Sequence, residues 1–261
     1  MQVIKKTTIV FTIITLIIIL FAGGCYGAIR GSGVIVSRAF DMDMFTRVET
    51  SSAFEVEIER GSTFSVSVTA DDNFFDYIRV NEMEGTLKID MLPGHSYFPN
   101  ALKAKIVMPD IYSVSAYAAS EVEITAFDLP HSFHSTASGA STIEFAGLKA
   151  TDIALEAGTA SRIQGIITGN DVDLEASGAS RITLSGQAKN LKMSVSAASN
   201  VDLAGVIAEN ATVGLSGASS AVVNLSGRLD AGLTGASHLQ YIGDPEIGNI
   251  NLSDFSSVDK K

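Results

Sequence analysis

The sequence predicts an all-β fold: a right-handed parallel β-helix of about eight coils, each about 20 residues long, after a more irregular N-terminal β region. Two observations predict it. A motif of small residues ending in Ala-Ser recurs along the chain at nearly constant spacing, and apolar and polar residues alternate after each copy. A stack of equivalent coils satisfies both, and the usual crossover preference favours the right-handed sense.

The repeat is marked by eight serines, here called the corner serines. They are Ser120, Ser141, Ser161, Ser180, Ser199, Ser219, Ser237 and Ser256. Successive members are 21, 20, 19, 19, 20, 18 and 19 residues apart. A β-sandwich would not keep the same residue classes at such a period, and leucine-rich repeats would need a Leu-x-x-Leu-x-Leu pattern that the chain lacks.

The residue two positions after each corner serine is apolar, and the residue between them is polar. The apolar positions are Val122, Ile143, Ile163, Ile182, Val201, Ala221, Leu239 and Val258. This alternation predicts a strand with one dry face. One coil cannot bury that face alone, so we expect equivalent strands to pair one coil apart, at about 4.8 Å.

The corners between strands admit only small residues. Alanine precedes seven of the corner serines, and Phe255 precedes the last. A larger side chain would overfill a narrow bend, and stacked hydroxyls could hydrogen-bond along the ladder. We therefore interpret the corner serines as structural residues and predict no catalytic residue among them.

The first 24 residues resemble a lipoprotein export signal. Lys5 and Lys6 precede an apolar run that ends in small residues before Cys25, the single cysteine. This order predicts lipidation at Cys25, although Ala22 stands where such signals usually have Leu. An uncleaved membrane anchor and cleavage elsewhere are the alternatives. All three readings export the chain.

The remaining chain divides into two parts by composition and pattern. Residues 25–33 form a short, glycine-containing segment rich in small residues, which predicts a tether. Residues 34–261 are predicted to form one β-helix domain, with irregular first coils or a cap over 34–112 and regular Ala-Ser repeats over 113–261.

The composition of the chain limits the classes of partner that it can bind. The formal net charge is −11, so the chain lacks the basic footprint that nucleic-acid binding needs. Lipidation of the single cysteine would leave no thiol for a disulfide. The domain must therefore be stabilised by its apolar core and by the hydrogen bonds between its strands. The expected partners are a membrane, through the lipid anchor, and a glycan or another envelope protein.

No motif indicates a cofactor, a metal site or a catalytic centre. His131 and His134 have a spacing that could suit a metal on a helix, but they flank an extended or turn segment without a third ligand. The enzyme alternative is a carbohydrate-active β-helix, a lyase or hydrolase. It needs two carboxylates on one surface, which Glu123 and Glu144 could supply on adjacent coils.

One outward-facing set of residues forms a predicted surface ladder. Its members are Glu121, Thr142, Arg162, Arg181 and Asn200. Such a wall could contact a glycan or a protein, or could be solvated scaffold. The loop Leu92–Asn100 should discriminate: aromatic residues beside a groove would favour binding, and aromatic residues that cap the coils would favour scaffold.

The chain resembles the bacterial head GIN domain family, described as auto-transporter adhesins. The residues that carry the resemblance are Phe54 to Gly61, Leu87 to Ile89, Val107 to Pro109, the repeated Ser-Gly-Ala-Ser and Tyr241 to Pro245. The resemblance covers residue 31 onward. It implies an exported β-helical domain of bacterial envelopes, often behind a lipoprotein signal, and it brings no catalytic residues. We thus expect an anchored, non-catalytic envelope protein, periplasmic or surface-exposed, with an adhesin-like or structural role.

Overall fold

The computed structural model describes residues 27–261, so the predicted signal over 1–24 and Cys25 lie outside the described residues. Within 27–261 the single helical element is a 3-10 turn, Asp72–Phe74. No helix in this range has the length and apolar character needed to cross a membrane.

Residues 27–261 contain twenty-three strands. They are β1 Ile29–Arg30, β2 Ile35–Phe40, β3 Arg47–Thr50, β4 Glu55–Arg60, β5 Ser65–Asp71, β6 Ile78–Met83, β7 Thr86–Met91, β8 Tyr97–Phe98, β9 Leu102–Met108, β10 Ser113–Ala116, β11 Glu121–Ile124, β12 Phe127–Asp128, β13 Phe133–Ala137, β14 Thr142–Lys149, β15 Asp152–Ala157, β16 Arg162–Ala176, β17 Arg181–Val195, β18 Asn200–Leu215, β19 Ser220–Leu225, β20 Arg228–Leu233, β21 His238–Ile242, β22 Glu246–Leu252 and β23 Ser257–Lys260.

The strands form three parallel stacks around one core. The first stack holds strands that precede the corners: β7, β3, β10, β13, β15, the second halves of β16 to β18, β20 and β22. The second holds strands that follow them: β9, β4, β11, β14, the first parts of β16 to β18, β19, β21 and β23. A third, shorter stack runs from β12 to the end of β19. The prediction of a stacked parallel β-solenoid is confirmed, and the eight corner serines delimit seven complete turns.

The predicted apolar column is continuous. Val122, Ile143, Ile163 and Ile182 pair directly from coil to coil, and each is fully buried. The column continues through the later copies to Val258 and, on the other side, through Val56 to Ala104. The dry face of each coil is therefore covered by the next, as the alternation predicts.

The first coils depart from chain order. Strands β3 and β4 lie between the later strands β7 and β9 on one side and β10 and β11 on the other. Antiparallel strands close this end, because β5 pairs with β9, β2 pairs with β5, and β6 pairs with β7. No 20-residue period marks this arrangement in the sequence.

Asp71 holds this cap together from a fully buried position. Its carboxylate accepts hydrogen bonds from the backbone N–H of Gly33 at 2.9 Å, and from the backbone N–H and side-chain amide of Asn100 at 2.8 and 2.7 Å. Burial alone would raise the pKa of Asp71, but these hydrogen bonds outweigh it and lower the pKa below its usual value. The carboxylate thus joins three segments that are distant in sequence.

The residues at the corners are small because of their backbone conformation as well as the limited space. Both residues before each of the first four corner serines have positive φ: Ala118 and Ala119, Gly139 and Ala140, Thr159 and Ala160, and Gly178 and Ala179. The left-handed region costs an L-residue roughly 1–2 kcal/mol and suits glycine and small side chains. The recurrence of the Gly-Ala-Ser motif is therefore explained by backbone conformation as well as by packing.

The serine hydroxyls differ from the expected continuous ladder. Ser141, Ser161 and Ser237 each donate to the carbonyl three residues earlier, closing their own turn. Direct contact between stacked hydroxyls occurs, within residues 27–261, at Ser180 and Ser199, 3.4 Å apart. Each of these buried hydroxyls can reach the carbonyl oxygen of its own turn. It therefore donates to that oxygen and not to the serine hydroxyl one coil away.

Candidate binding groove on the side wall

The predicted surface ladder exists as a register. Glu121, Thr142, Arg162, Arg181 and Asn200 oppose one another on successive coils of the second stack. The side chains of Glu121, Arg162 and Arg181 are exposed. The ladder forms a wall rather than a cleft, and its role in binding stays a prediction.

The two carboxylates of the enzyme alternative are also in register. Glu123 and Glu144 oppose each other on β11 and β14, and both are exposed. The side-chain amide of Gln164 donates to Glu144 at 2.8 Å. Catalytic carboxylates work in a site that closes around the substrate and excludes water, whereas both of these side chains lie on the open wall.

The loop Leu92–Asn100 belongs to the cap. Tyr97 packs against Phe74 and Tyr77, with ring centroids 5.8 and 5.7 Å apart, and its hydroxyl donates to the Leu92 carbonyl at 2.7 Å. The same loop pairs with the N-terminal strand through β8 and β1. This placement favours the scaffold role for the loop.

A groove on the outer surface of the first stack was not predicted. It encloses about 480 Å³, and we call it the wall groove. Its lining includes the side chains of Tyr112, Asp152, Asp171, Asp173, Asn190 and Lys192. A larger depression of about 930 Å³ lies over the third stack, between Asp128 and Ser226, but no aromatic side chain from residues 27–261 lines it.

Tyr112 gives the wall groove a fixed aromatic surface. Its ring stacks on that of His131, with centroids 3.7 Å apart and planes 5° from parallel. His131 does not line the groove, and its Nε2 lies 2.9 Å from a carboxylate oxygen of Asp110. Tyr112 is 43 % exposed, so the histidine holds a ring whose remaining surface is available to a ligand.

A polar ladder runs beside the aromatic ring. Asp152, Asp171 and Asn190 are in register on successive coils. Ser132 Oγ donates to Asp152 at 3.0 Å, and the Asn190 amide donates to Asp171 at 2.8 Å. Each bond occupies one carboxylate oxygen, which leaves the other oxygen as an acceptor.

Asp173 contributes an acceptor that the protein does not satisfy. Lys192 Nζ donates to its Oδ2 at 2.8 Å. Its Oδ1 is buried and has no hydrogen-bond partner among the described residues. The Asp173 side chain as a whole is nevertheless 43 % exposed, so its carboxylate borders the groove that Tyr112 lines.

The two histidines considered for a metal have other roles. His131 supports Tyr112, and His134 Nε2 lies 3.0 Å from Thr136 Oγ1. Within residues 27–261, no group of three or more His, Cys, Asp or Glu side chains is placed to hold a metal ion. Sequence reasoning missed the groove because Tyr112 precedes the repeat. The recurrence of Asp152, Asp171 and Asn190 at the repeat period was the available signal.

Comparison with known proteins identifies the family. Residues 44–245 match the family described as "Putative auto-transporter adhesin, head GIN domain". The chain belongs to the head GIN domain family. The resemblance inferred from Phe54 to Gly61 and the Ser-Gly-Ala-Ser repeats is thereby confirmed. No curated protein is a significant match to this head GIN domain.

Solved structures share its fold. A putative lipid binding protein from Parabacteroides distasonis ATCC 8503 has a TM-score of 0.81 at 19 % identity, over 90 % of this chain and 100 % of its own. A putative adhesin from Parabacteroides merdae ATCC 43184 has a TM-score of 0.81 at 16 % identity, over 90 % and 99 %. A second putative adhesin from P. distasonis ATCC 8503 has 0.80 at 14 %, over 90 % and 100 %. At these identities the likeness establishes the solenoid and leaves the ligand open.

Proposed function

We propose that this head GIN domain is an exported, lipid-anchored, non-catalytic envelope protein that binds glycans in the wall groove, an adhesin-like role. The observation that carries the proposal is the half-exposed ring of Tyr112, which is stacked on His131 in a groove that the Asp173 carboxylate also lines. Ligand sites combine apolar or aromatic surface with a few placed polar groups. The apolar face of a sugar can pack on the tyrosine, and its hydroxyls can donate to the carboxylates.

The direction of the groove suits an extended chain of sugars. Asp152, Asp171 and Asn190 repeat once per coil, at about 4.8 Å. Successive sugar units laid along the solenoid axis would therefore meet equivalent acceptors. Asp152, Asp171 and Asp173 face one ammonium group, Lys192, so the groove favours a neutral or amine-bearing glycan and repels an anionic one.

Anchoring follows from the predicted lipidation of Cys25, with residues 25–33 as the tether. Its test is the fractionation of cells that express the full chain, with Cys25→Ser as the variant. We expect the wild-type chain in the membrane fraction with acyl groups on its N-terminal peptide, and the variant without them. An unmodified wild-type N-terminus would refute the anchor and leave the groove untouched.

Binding is tested on a glycan array, followed by titration calorimetry with the glycan that gives the strongest signal. We expect Tyr112→Ala and Asp173→Asn each to weaken binding at least about tenfold, or about 1.4 kcal/mol. Phe98→Ala removes another exposed aromatic, on the cap, and Glu175→Gln makes a comparable charge change two residues from Asp173, outside the groove. Neither control should alter affinity. Absence of any bound glycan, or equal losses in controls and variants, would refute the proposal.

The enzyme alternative has its own readout. Incubation of the bound glycan with the wild-type domain should leave its chain length unchanged. Depolymerisation that Glu123→Gln or Glu144→Gln abolishes would establish catalysis on the second stack instead.

A further inference from the structure

The last coil leaves its inward-facing side chains uncovered. Ile247, Ile250 and Leu252 of β22 pair with core positions of β20, and Val258 of β23 pairs with Leu239. Ile247 and Leu252 are nevertheless 48 and 49 % exposed. At the adjoining corner Phe255 is 92 % exposed. Within the described residues, this end of the core thus faces solvent.

The two strand edges of this coil are protected unequally. Strand β23 carries Asp259 and Lys260, and the Lys260 ammonium is bonded to Asp244. Charges of this kind discourage edge pairing. Strand β22 has no charged side chain from Ile247 to Leu252, and after an irregularity near Gly248 its second half is regular. An uncharged, apolar edge strand is a template for pairing with another chain.

The opposite end of the solenoid offers this edge a poorer partner. Strand β9 is covered by β5, and β7 by β6, both antiparallel, so the outer strands there are β2 and β6. Both carry charged side chains, Arg38 on β2 and Arg79 and Glu82 on β6, which disfavours edge pairing. The uncharged surface that best matches β22 is the last coil of a second copy. Association of identical surfaces closes at two copies.

We propose that two copies of this chain associate tail to tail, with β22 of each antiparallel to β22 of the other across a two-fold axis. An axis perpendicular to a three-sided solenoid maps one stack onto itself and exchanges the other two. Only one stack can then pair with its own copy, and the uncharged β22 fits that position. The contact covers Ile247, Ile250 and Leu252 on both copies.

This inference goes beyond the proposed function and is independent of it. A tail-to-tail pair would carry two wall grooves, so a glycan with several binding epitopes would be held by avidity. Because each chain is acidic, with a formal net charge of −11, repulsion opposes the pair. We expect salt to strengthen association by screening that repulsion.

The first experiment is cross-linking with the chain that begins at Gly27, which holds every strand and core contact described above and no native cysteine. Asn251 points outward from β22 and is in register with Gly232 and Gly214. We expect Asn251→Cys to form disulfide-linked dimers under mild oxidation. Gly214→Cys, in the same column two coils inward, should remain monomeric.

The second experiment is sedimentation equilibrium over a range of protein and salt concentrations. We expect a wild-type monomer–dimer equilibrium that Leu252→Lys shifts toward monomer by at least about tenfold in dissociation constant. Ile207→Lys, at a side-wall isoleucine 58 % exposed, should leave it unchanged. If Leu252→Lys fails to fold by circular dichroism, Ile247→Ser replaces it, since that side chain belongs to the same contact and is 48 % exposed in the single chain. A wild-type monomer at all concentrations, or equal cross-linking of Asn251→Cys and Gly214→Cys, would refute the dimer.

Discussion

Arg162 and Arg181 lie directly opposite each other on adjacent coils, and neither guanidinium forms an ion pair with any residue between 27 and 261. Like charges that face each other across neighbouring strands destabilise a sheet. At another position of the second stack an opposite charge faces the side chain, since Lys103 Nζ lies 2.7 Å from a Glu55 carboxylate oxygen. The arginine pair is thus an uncompensated repulsion in the wall.

Removing one of these charges should stabilise the protein. We expect Arg181→Gln to raise the thermal midpoint at low salt and to have no effect at high salt, because salt screens exposed charges. Arg79→Gln is the control of opposite sign, since Arg79 is bonded to Asp90 at 2.6 Å and its loss should lower the midpoint. Differential scanning calorimetry at two salt concentrations measures both. A salt-independent gain for Arg181→Gln would exclude the electrostatic explanation.

The corner serines should differ in their contribution to stability. Ser180 Oγ donates to the Ala157 carbonyl at 2.8 Å and contacts the Ser199 hydroxyl, whereas Ser120 Oγ is buried without a hydrogen-bond partner among the described residues. We expect Ser180→Ala to reduce the free energy of unfolding by about 1 kcal/mol. Ser120→Ala should leave it unchanged or raise it. Urea denaturation compares the two, and a larger loss from Ser120→Ala would contradict the assigned contacts.

Gly186 occupies a position that no other residue should fill. Its φ is 120°, and a Cβ there would overlap the Ile167 carbonyl oxygen of the preceding coil. We expect Gly186→Ala to reduce the free energy of unfolding by at least about 2 kcal/mol. Gly232→Ala is the matched control, because no atom of the described part of the chain lies within 4 Å of the added methyl group. Equal denaturation midpoints for the two variants would refute the close approach of the coils.

Asp71 should make the cap sensitive to acid. The folded-state pKa of its carboxyl is lowered, so its stabilisation is complete above the ordinary aspartate pKa of about 3.9 and is lost as pH falls through the lower folded pKa. We expect Asp71→Asn to reduce the free energy of unfolding by about 2 kcal/mol at neutral pH. The difference from wild type should shrink in acid. Denaturation curves between neutral pH and pH 2–3 check this, and a difference that grows in acid would reverse the sign assigned here.

The repeat region was predictable because its information is periodic. The column from Val122 to Val258 follows from the alternation after each corner serine, and the structure pairs those residues as predicted. The positive φ of Ala119 and Ala140 was not predictable in the same way. Small residues at a bend satisfy both a steric and a conformational requirement, and the sequence does not separate the two.

The cap and the wall groove were not predictable from the period. The pairing of β5 with β9 is antiparallel, and the placement of β3 beside β7 reverses chain order, so neither has a repeating signature. Tyr112 and Asp110 come from the segment between the cap and the repeats, and they meet His131 through folding alone. The assembly of the groove therefore depends on tertiary contacts that a local pattern does not encode.

The interior position of β3 and β4 has a consequence for how the molecule assembles. These strands are synthesised before the strands that flank them on either side. A strand cannot readily insert between two neighbours that have already paired with each other. Residues 47–60 should therefore act as a seed from which the structure grows in two opposite directions. A C-terminal truncation would shorten the stack on one side of residues 47–60. Deletion of residues 47–60 would instead leave the strands on the two sides without a shared pairing partner.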